Sequence, residues 1–206
     1  MTSTQSSTCS AFADTRCVAQ GDLHSVTAAV KQLIDQGEQA HILIFDDVTS
    51  EPVEVDFRGS LKAVLGRLPS PVVPDAVAAE EVAVRTPGRP RLGVVAREVT
   101  LLPRHWEWLG SQPGGASVVL RKLVEAASRA NEDKDRMRRA QESAYRFMSA
   151  LAGNLPGYEE AVRALYANQP EHFGVLTEAW PADIRDHTRM LALMVHTNIV
   201  EDKPPL

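Results

Sequence analysis

Pro87, Gly88, Arg89, Pro90 and Arg91 join two guanidinium groups to a backbone that is open at the glycine and held extended by the prolines. Glycine lets a main chain approach a surface closely, proline fixes φ, and arginine is drawn to the narrow, strongly negative minor groove of A·T-rich DNA. Such residues recognise anions and make no covalent step. The cations continue through Arg97, Arg104, Arg121, Lys122 and Arg129. Residues 81 to 130 therefore hold 8 basic and 4 acidic side chains, whereas residues 1 to 80 hold 5 and 11 and residues 131 to 206 hold 9 and 12. A positive island in a chain of net charge −5 makes a local field suited to an anionic partner.

Other groups with chemical potential are fewer. Asp46 and Asp47 follow a strand, but a carboxylate pair just ahead of Thr49 and Ser50 reads as turn chemistry. Asp183 and His187 are four apart on a helix, the spacing of a metal-binding pair. No cysteine or second close histidine completes the set, so the reading is a capping aspartate after Pro181 and a surface histidine. Neither Gly114-Gly115 nor another glycine cluster has the spacing of a phosphate loop or a dinucleotide fingerprint. The expectation is a non-enzyme with no catalytic residue, metal site or cofactor. Cys9 and Cys17 are read as reduced thiols in a chain without an export signal, and no run of roughly 18 to 20 apolar residues spans a membrane. A cytoplasmic protein is expected.

With 44% hydrophobic and 24% charged residues the chain buries a core, and its patterning predicts an α+β fold. A small strand-helix-strand unit is placed at 1–68. Cys9 to Phe12 and Cys17 to Ala19 pair as a hairpin. Leu23, Val26, Val30, Leu33 and Ile34 repeat at helical spacing behind an Asp22 cap and ahead of Gly37. His41 to Phe45 is a buried-strand run, Val53 to Phe57 alternates with period two, and Leu61 to Leu68 is a further helix. Pro69, Pro71 and Pro74 mark a linker over 69–84. A basic arm with a strand-helix-helix unit occupies 85–130, and a small helical bundle occupies 131–200, with a tail at 201–206. In the bundle, Met137, Ala140, Ala144, Phe147 and Leu151 mark one helix. Tyr158 to Leu165 marks a second, Phe173 and Leu176 a third, and Ile184, Thr188, Leu191 and Val195 a fourth.

Within the central segment, Val94 to Leu102 reads as a strand. Pro103 opens a first helix carrying Trp106, Trp108 and Leu109, and Ser117 caps a second helix after Pro113-Gly114-Gly115. Of the two tryptophans, one is expected in the core and the other partly exposed. The Gly88-Arg89-Pro90-Arg91 stretch resembles an AT-hook arm, and strand, helix and helix in that order resemble a ribbon-helix-helix DNA-binding unit. That likeness implies a homodimer whose paired strands enter the major groove, with Arg97 and Thr100 facing the groove, the amides near Ser117 holding a phosphate, and Arg121 exposed beside them. One strand phase turns Glu98, Thr100 and Leu102 outward and the other turns Arg97 outward; a helical hairpin that only packs on the α+β unit is the alternative. GRPRLGVVAREVTLLPRHWEWL, LPGYEEAVRALYAN and WPADIRDH are similar to a bacterial family built on a domain of unknown function, a likeness running from about Cys9 to His187. It implies a shared architecture and brings no activity. The functional expectation is a DNA-binding protein, a regulator in type, that uses Gly88, Arg89, Pro90, Arg91, Arg97, Thr100, Ser117 and Arg121. The alternative is a non-catalytic protein whose basic arm binds an acidic protein surface.

Overall fold

The computed structural model describes residues 8–69, 95 and 97–196. It divides into two compact units: the described parts of 1–71 and 132–206 make one, and those of 72–131 make the other. The fold is mixed α and β, with one small antiparallel sheet near the N-terminus and a mostly helical remainder.

In the first unit, β1 (Thr8–Ala13) and β2 (Arg16–Asp22) form the expected hairpin, and β3 (Ile42–Asp46) pairs antiparallel on the other side of β1. The order is β2-β1-β3, so β1 is central and buried on both faces. Its side chains alternate between two clusters. Cys9 and Ala11 join Ile44 against Val26 and Val30 of α1 (Leu23–Asp35), while Phe12 and Phe45 face the C-terminal helices. Asp22 caps α1, its carboxylate accepting from the His24 and Ser25 amides at 3.0 and 3.1 Å, and Gly37 closes the helix at φ +93°. Cys9 and Cys17 are free thiols out of register with each other, since Cys9 lies opposite Gly21 and Cys17 opposite Phe12.

Two expected elements are shorter. Val53, Val55 and Phe57 do alternate with exposed neighbours and pack on the α1-side cluster, yet beyond the Phe45–Pro52 bridge they form no named strand. Pro52 has no N–H to donate, and the pairing stops after Val53 donates to the Ile44 carbonyl. α2 (Leu61–Leu65) stops at Gly66, three residues before the expected end, with Val64 buried.

The helical remainder holds α3 (Pro103–Ser111), α4 (Gly115–Leu151), α5 (Tyr158–Tyr166), α6 (Pro170–Leu176) and α7 (Ala182–His196). α4 runs 37 residues, joining what the sequence pattern divides into two helices. No glycine or proline interrupts it between Ala116 and Leu151. Every residue from Arg121 to Lys134 is exposed, and this middle stretch is laced by short-range pairs such as Arg129–Glu125 and Arg136–Asp133. Residues 115–131 of this helix belong to the second unit and 132–151 to the first.

The core of the first unit is aromatic. Phe147 of α4 meets Phe12 edge-on at 5.1 Å and Phe45 at 5.4 Å, and His187 of α7 lies 4.4 Å from Phe147 and 5.2 Å from Phe12. The strands of 8–46 and the helices of 132–196 therefore share one core. The expectation of a surface histidine is corrected here: His187 is 6% exposed and its Nε2 has no hydrogen-bond partner among the described residues. Asp183, one turn earlier, accepts from the Cys17 amide at 2.8 Å. That bond fixes α7 against β2 and turns His187 inward. Arg189 clasps α6 to α7 by donating to the Gly174 carbonyl, to the Thr177 hydroxyl at 3.0 Å and to Glu178 at 2.7 Å.

Burial lowers the His187 pKa below the ordinary imidazole value, and the nearby Asp47 carboxylate opposes the shift only in part. A histidine depressed in this way leaves the unfolded chain as the better proton acceptor. Its contribution is complete above about pH 6.5 and is lost as pH falls below that value toward the folded pKa. His187→Gln should cost about 1–3 kcal/mol at neutral pH, and its melting temperature should fall less than the wild type's between about pH 7 and pH 5. Thermal melts followed by circular dichroism at both pH values test this; parallel curves would show that His187 does not carry the acid sensitivity.

Candidate nucleic-acid interface

The second unit is small. Among residues 97–131, α3 folds back on the start of α4 through a turn in which Gly114 and Gly115 both sit at positive φ, +93° and +76°. Pro103 stands at the first helical position of α3, as expected. Leu109 is the large apolar residue buried here, 2% exposed, beside Leu101, His105, Trp108, Leu120 and Leu123. The tryptophans differ from expectation, since Trp106 and Trp108 are 44% and 50% exposed. Among the described residues this nine-residue helix packs on the start of α4, which buries one narrow stripe, and Leu109 takes it.

Three arginines gather on this unit. Arg97, Arg121 and Arg129 line one open recess together with Val95, Leu120, Val124, Glu125 and Ser128. Arg121, Glu125 and Arg129 lie on one face of α4 at four-residue steps. Arg121 is directed back along the helix, its Nε donating to the Ser117 carbonyl at 3.1 Å, and Arg129 pairs with Glu125 at 2.5 Å. The anchors are exposed, with Arg129 at 77% and Glu125 at 62%, so the pair holds Arg129 loosely and leaves its guanidinium open to a stronger anion.

Of the expected site residues, Arg97 and Arg121 come together, and Arg129 joins them. The i,i+8 relation of Arg121 and Arg129, two helical turns, is the sequence signal for the third. Thr100 is exposed outside this recess. Ser117 is corrected: it sits inside α4 and not at its cap, because the two glycines turn the chain early enough for the helix to start at Gly115. Its first-turn amides remain the ones an anion would meet. The strand expected over Val94 to Leu102 is absent at 97–102, which carry no ladder pairing; the described strands β1, β2 and β3 pair only among themselves. A ribbon needs a second strand, and a single chain supplies none here. Gly88, Arg89, Pro90 and Arg91 lie outside the described residues.

Elsewhere the ionisable groups are those of structure. The Asp46 carboxylate accepts from the Val48 and Thr49 amides at 2.9 Å each, a turn as expected, and Asp47 accepts from the Ser10 hydroxyl at 2.6 Å. Burial, with Asp46, Asp47 and Asp22 nearby, pushes the Cys9 thiol up to about 11, and burial followed by Asp183 raises that of Cys17, so neither is an activated thiolate. Among the described residues no group of three His, Cys, Asp or Glu side chains is placed to hold a metal ion, and no helix is long and apolar enough to cross a membrane.

Compared with known families, residues 8–192 match the model described as "Uncharacterized protein conserved in bacteria (DUF2239)". No curated protein and no solved structure matches.

Leu109→Ala should free α3 from α4, since truncating a buried leucine costs about 2–5 kcal/mol and Leu109 is the buried large apolar residue among the described residues of this unit. Hydrogen exchange should then lose protection over 103–111 while the amides of β1 and α7 keep theirs. Loss of protection in both places would show that the two units fold together.

Proposed function

For this chain, which belongs to that bacterial family over most of its length, we propose a DNA-binding function, regulatory in type, carried by the basic central segment. One observation carries the reading: Arg97, Arg121 and Arg129 converge on the unit that follows the Gly88-Arg89-Pro90-Arg91 arm. Guanidinium groups around a shallow, partly apolar recess suit phosphate and sugar, and the first-turn amides of α4 beside Ser117 add a phosphate contact. The arm supplies the A·T preference through Arg89 and Arg91. Thr100 and Arg97 take the groove-facing places once residues 97–102 pair with a second copy, as in a ribbon-helix-helix dimer. In support of a paired state, Val95, Val99, Leu102, Trp106, Trp108, Leu123 and Val124 are all at least 44% exposed on so small a unit. The role is non-catalytic and intracellular.

The same exposed tryptophans and leucines favour one other reading, a protein-interaction module whose basic arm meets an acidic protein surface. Salt and sequence dependence separate the two.

Fluorescence anisotropy of the full-length protein on A·T-rich and G·C-rich duplexes, at two salt concentrations, is the test. Binding should prefer the A·T-rich duplex and weaken with salt. Arg97→Ala with Arg121→Ala should lose about tenfold or more in affinity and reduce the log-log salt slope by roughly 2. Arg89→Ala with Arg91→Ala should abolish the A·T preference. Leu123→Glu should convert a dimer into a monomer by light scattering and weaken binding. No binding at low salt retires the DNA reading in favour of the interaction module.

A further inference from the structure

A second recess is lined wholly by residues of the sheet-containing unit, none of which belongs to the proposed DNA interface. It opens between α4 and α7 beside the loop after β3 and measures about 600 Å³, within the range of roughly 300–1,000 Å³ typical of small-molecule sites. On α4 its wall is Arg136, Arg139, Ala140 and Ser143, spaced three and four apart and so on one helix face. The same stripe continues inward as Ala144 and Phe147, both fully buried. An ordinary core stripe would stay apolar until it frayed into solvent, but here it turns cationic while still facing an apolar wall. That wall is Leu191, 1% exposed, with Met194 of α7 and Val48 of the loop.

Three arginines stand close together in sequence here, and they differ. Arg138 pairs with Asp135 at 2.9 Å and Arg136 with Asp133 at 3.0 Å, whereas Arg139 has no carboxylate partner among the described residues. At the base, Ser143 is already satisfied: its hydroxyl bonds the buried Ser50 hydroxyl at 2.8 Å, and Ser50 is held at φ +53°. The floor thus asks for apolar atoms, and the rim offers the Arg139 guanidinium, which has no carboxylate partner among the described residues.

We infer that this recess binds a small amphipathic monocarboxylate, its carboxylate on Arg139 and its aliphatic body along Ala140, Leu191, Met194 and Val48. A planar two-oxygen head matches the guanidinium fork, and one negative charge balances the Arg139 cation, which is without a carboxylate partner among the described residues. This site is independent of the DNA-binding reading and stands if that reading fails.

Decanoate is the probe, titrated calorimetrically into the full-length protein at about pH 7.5, where it is ionised. Saturable binding at one site per chain is expected. Acetate, which has the charge without the body, should not bind, and decanol, which has the body without the charge, should bind at least about tenfold more weakly. Arg139→Gln, on an exposed helix position where folding is retained by circular dichroism, should weaken decanoate about tenfold or more and leave decanol unchanged. Equal affinity of the variant and wild type for decanoate, or of decanoate and decanol for the wild type, overturns the assignment. So does binding to phosphatidylglycerol vesicles without binding to decanoate, which would assign the patch to a membrane surface.

Discussion

Phe12, Phe45, Phe147 and His187 form the contact on which the sheet-containing unit depends. A three-stranded sheet has two apolar faces and too little area to stand alone. α1 covers one face with Val26 and Val30, and the other is covered only when α4 and α7 bring Phe147, Ile184 and Leu191 over Phe12 and Phe45. Edge-to-face packing of the rings adds geometric preference to the area they bury, so the helices sit on the sheet in one register. Asp183 then closes the arrangement by accepting the Cys17 amide on β2, which occupies a backbone donor that an exposed strand would offer to another chain.

α4 joins two kinds of stabilisation in one helix. Near its C-terminal end Ala144, Phe147 and Met148 are fully buried, and near its start Leu120 and Leu123 lie beside Leu109. Between them the helix rests on propensity and on surface ion pairs worth only tenths of a kcal/mol each. An uninterrupted run of residues free of glycine and proline makes that possible. The arginine face at 121–129 therefore stands on a stretch of helix whose residues are all exposed.

Local chemistry was legible in the residues. The hairpin followed from two short β-prone runs, α1 from its apolar period and Asp22 cap, α3 from Pro103, and the Asp46 turn from its neighbours Thr49 and Ser50. Each of these is decided within a few residues of itself. The misreadings share the opposite property. Ser117 is a good capping residue by type, but two adjacent glycines that accept positive φ moved the helix start ahead of it. Residues 97–102 have the alternation of a strand and pair with no other described strand of the chain. Trp106 and Trp108 are apolar enough for a core, yet among the described residues it is Leu109 that takes the buried stripe of α3.

By itself the sequence determined the β1–β2 hairpin, the Asp22-capped start of α1 and the Pro103 start of α3, that 81–130 is the positive part of an acidic chain, and that Arg97 and Arg121 belong to it, because propensity, capping and charge count are properties of short stretches. Only the tertiary structure decided that residues near 12 and 45 share a core with those near 147 and 187, that His187 is buried, and that Arg139 has no carboxylate partner among the described residues. Each of these depends on which distant side chains exclude water from, or leave it beside, a given group, and no local pattern carries that information.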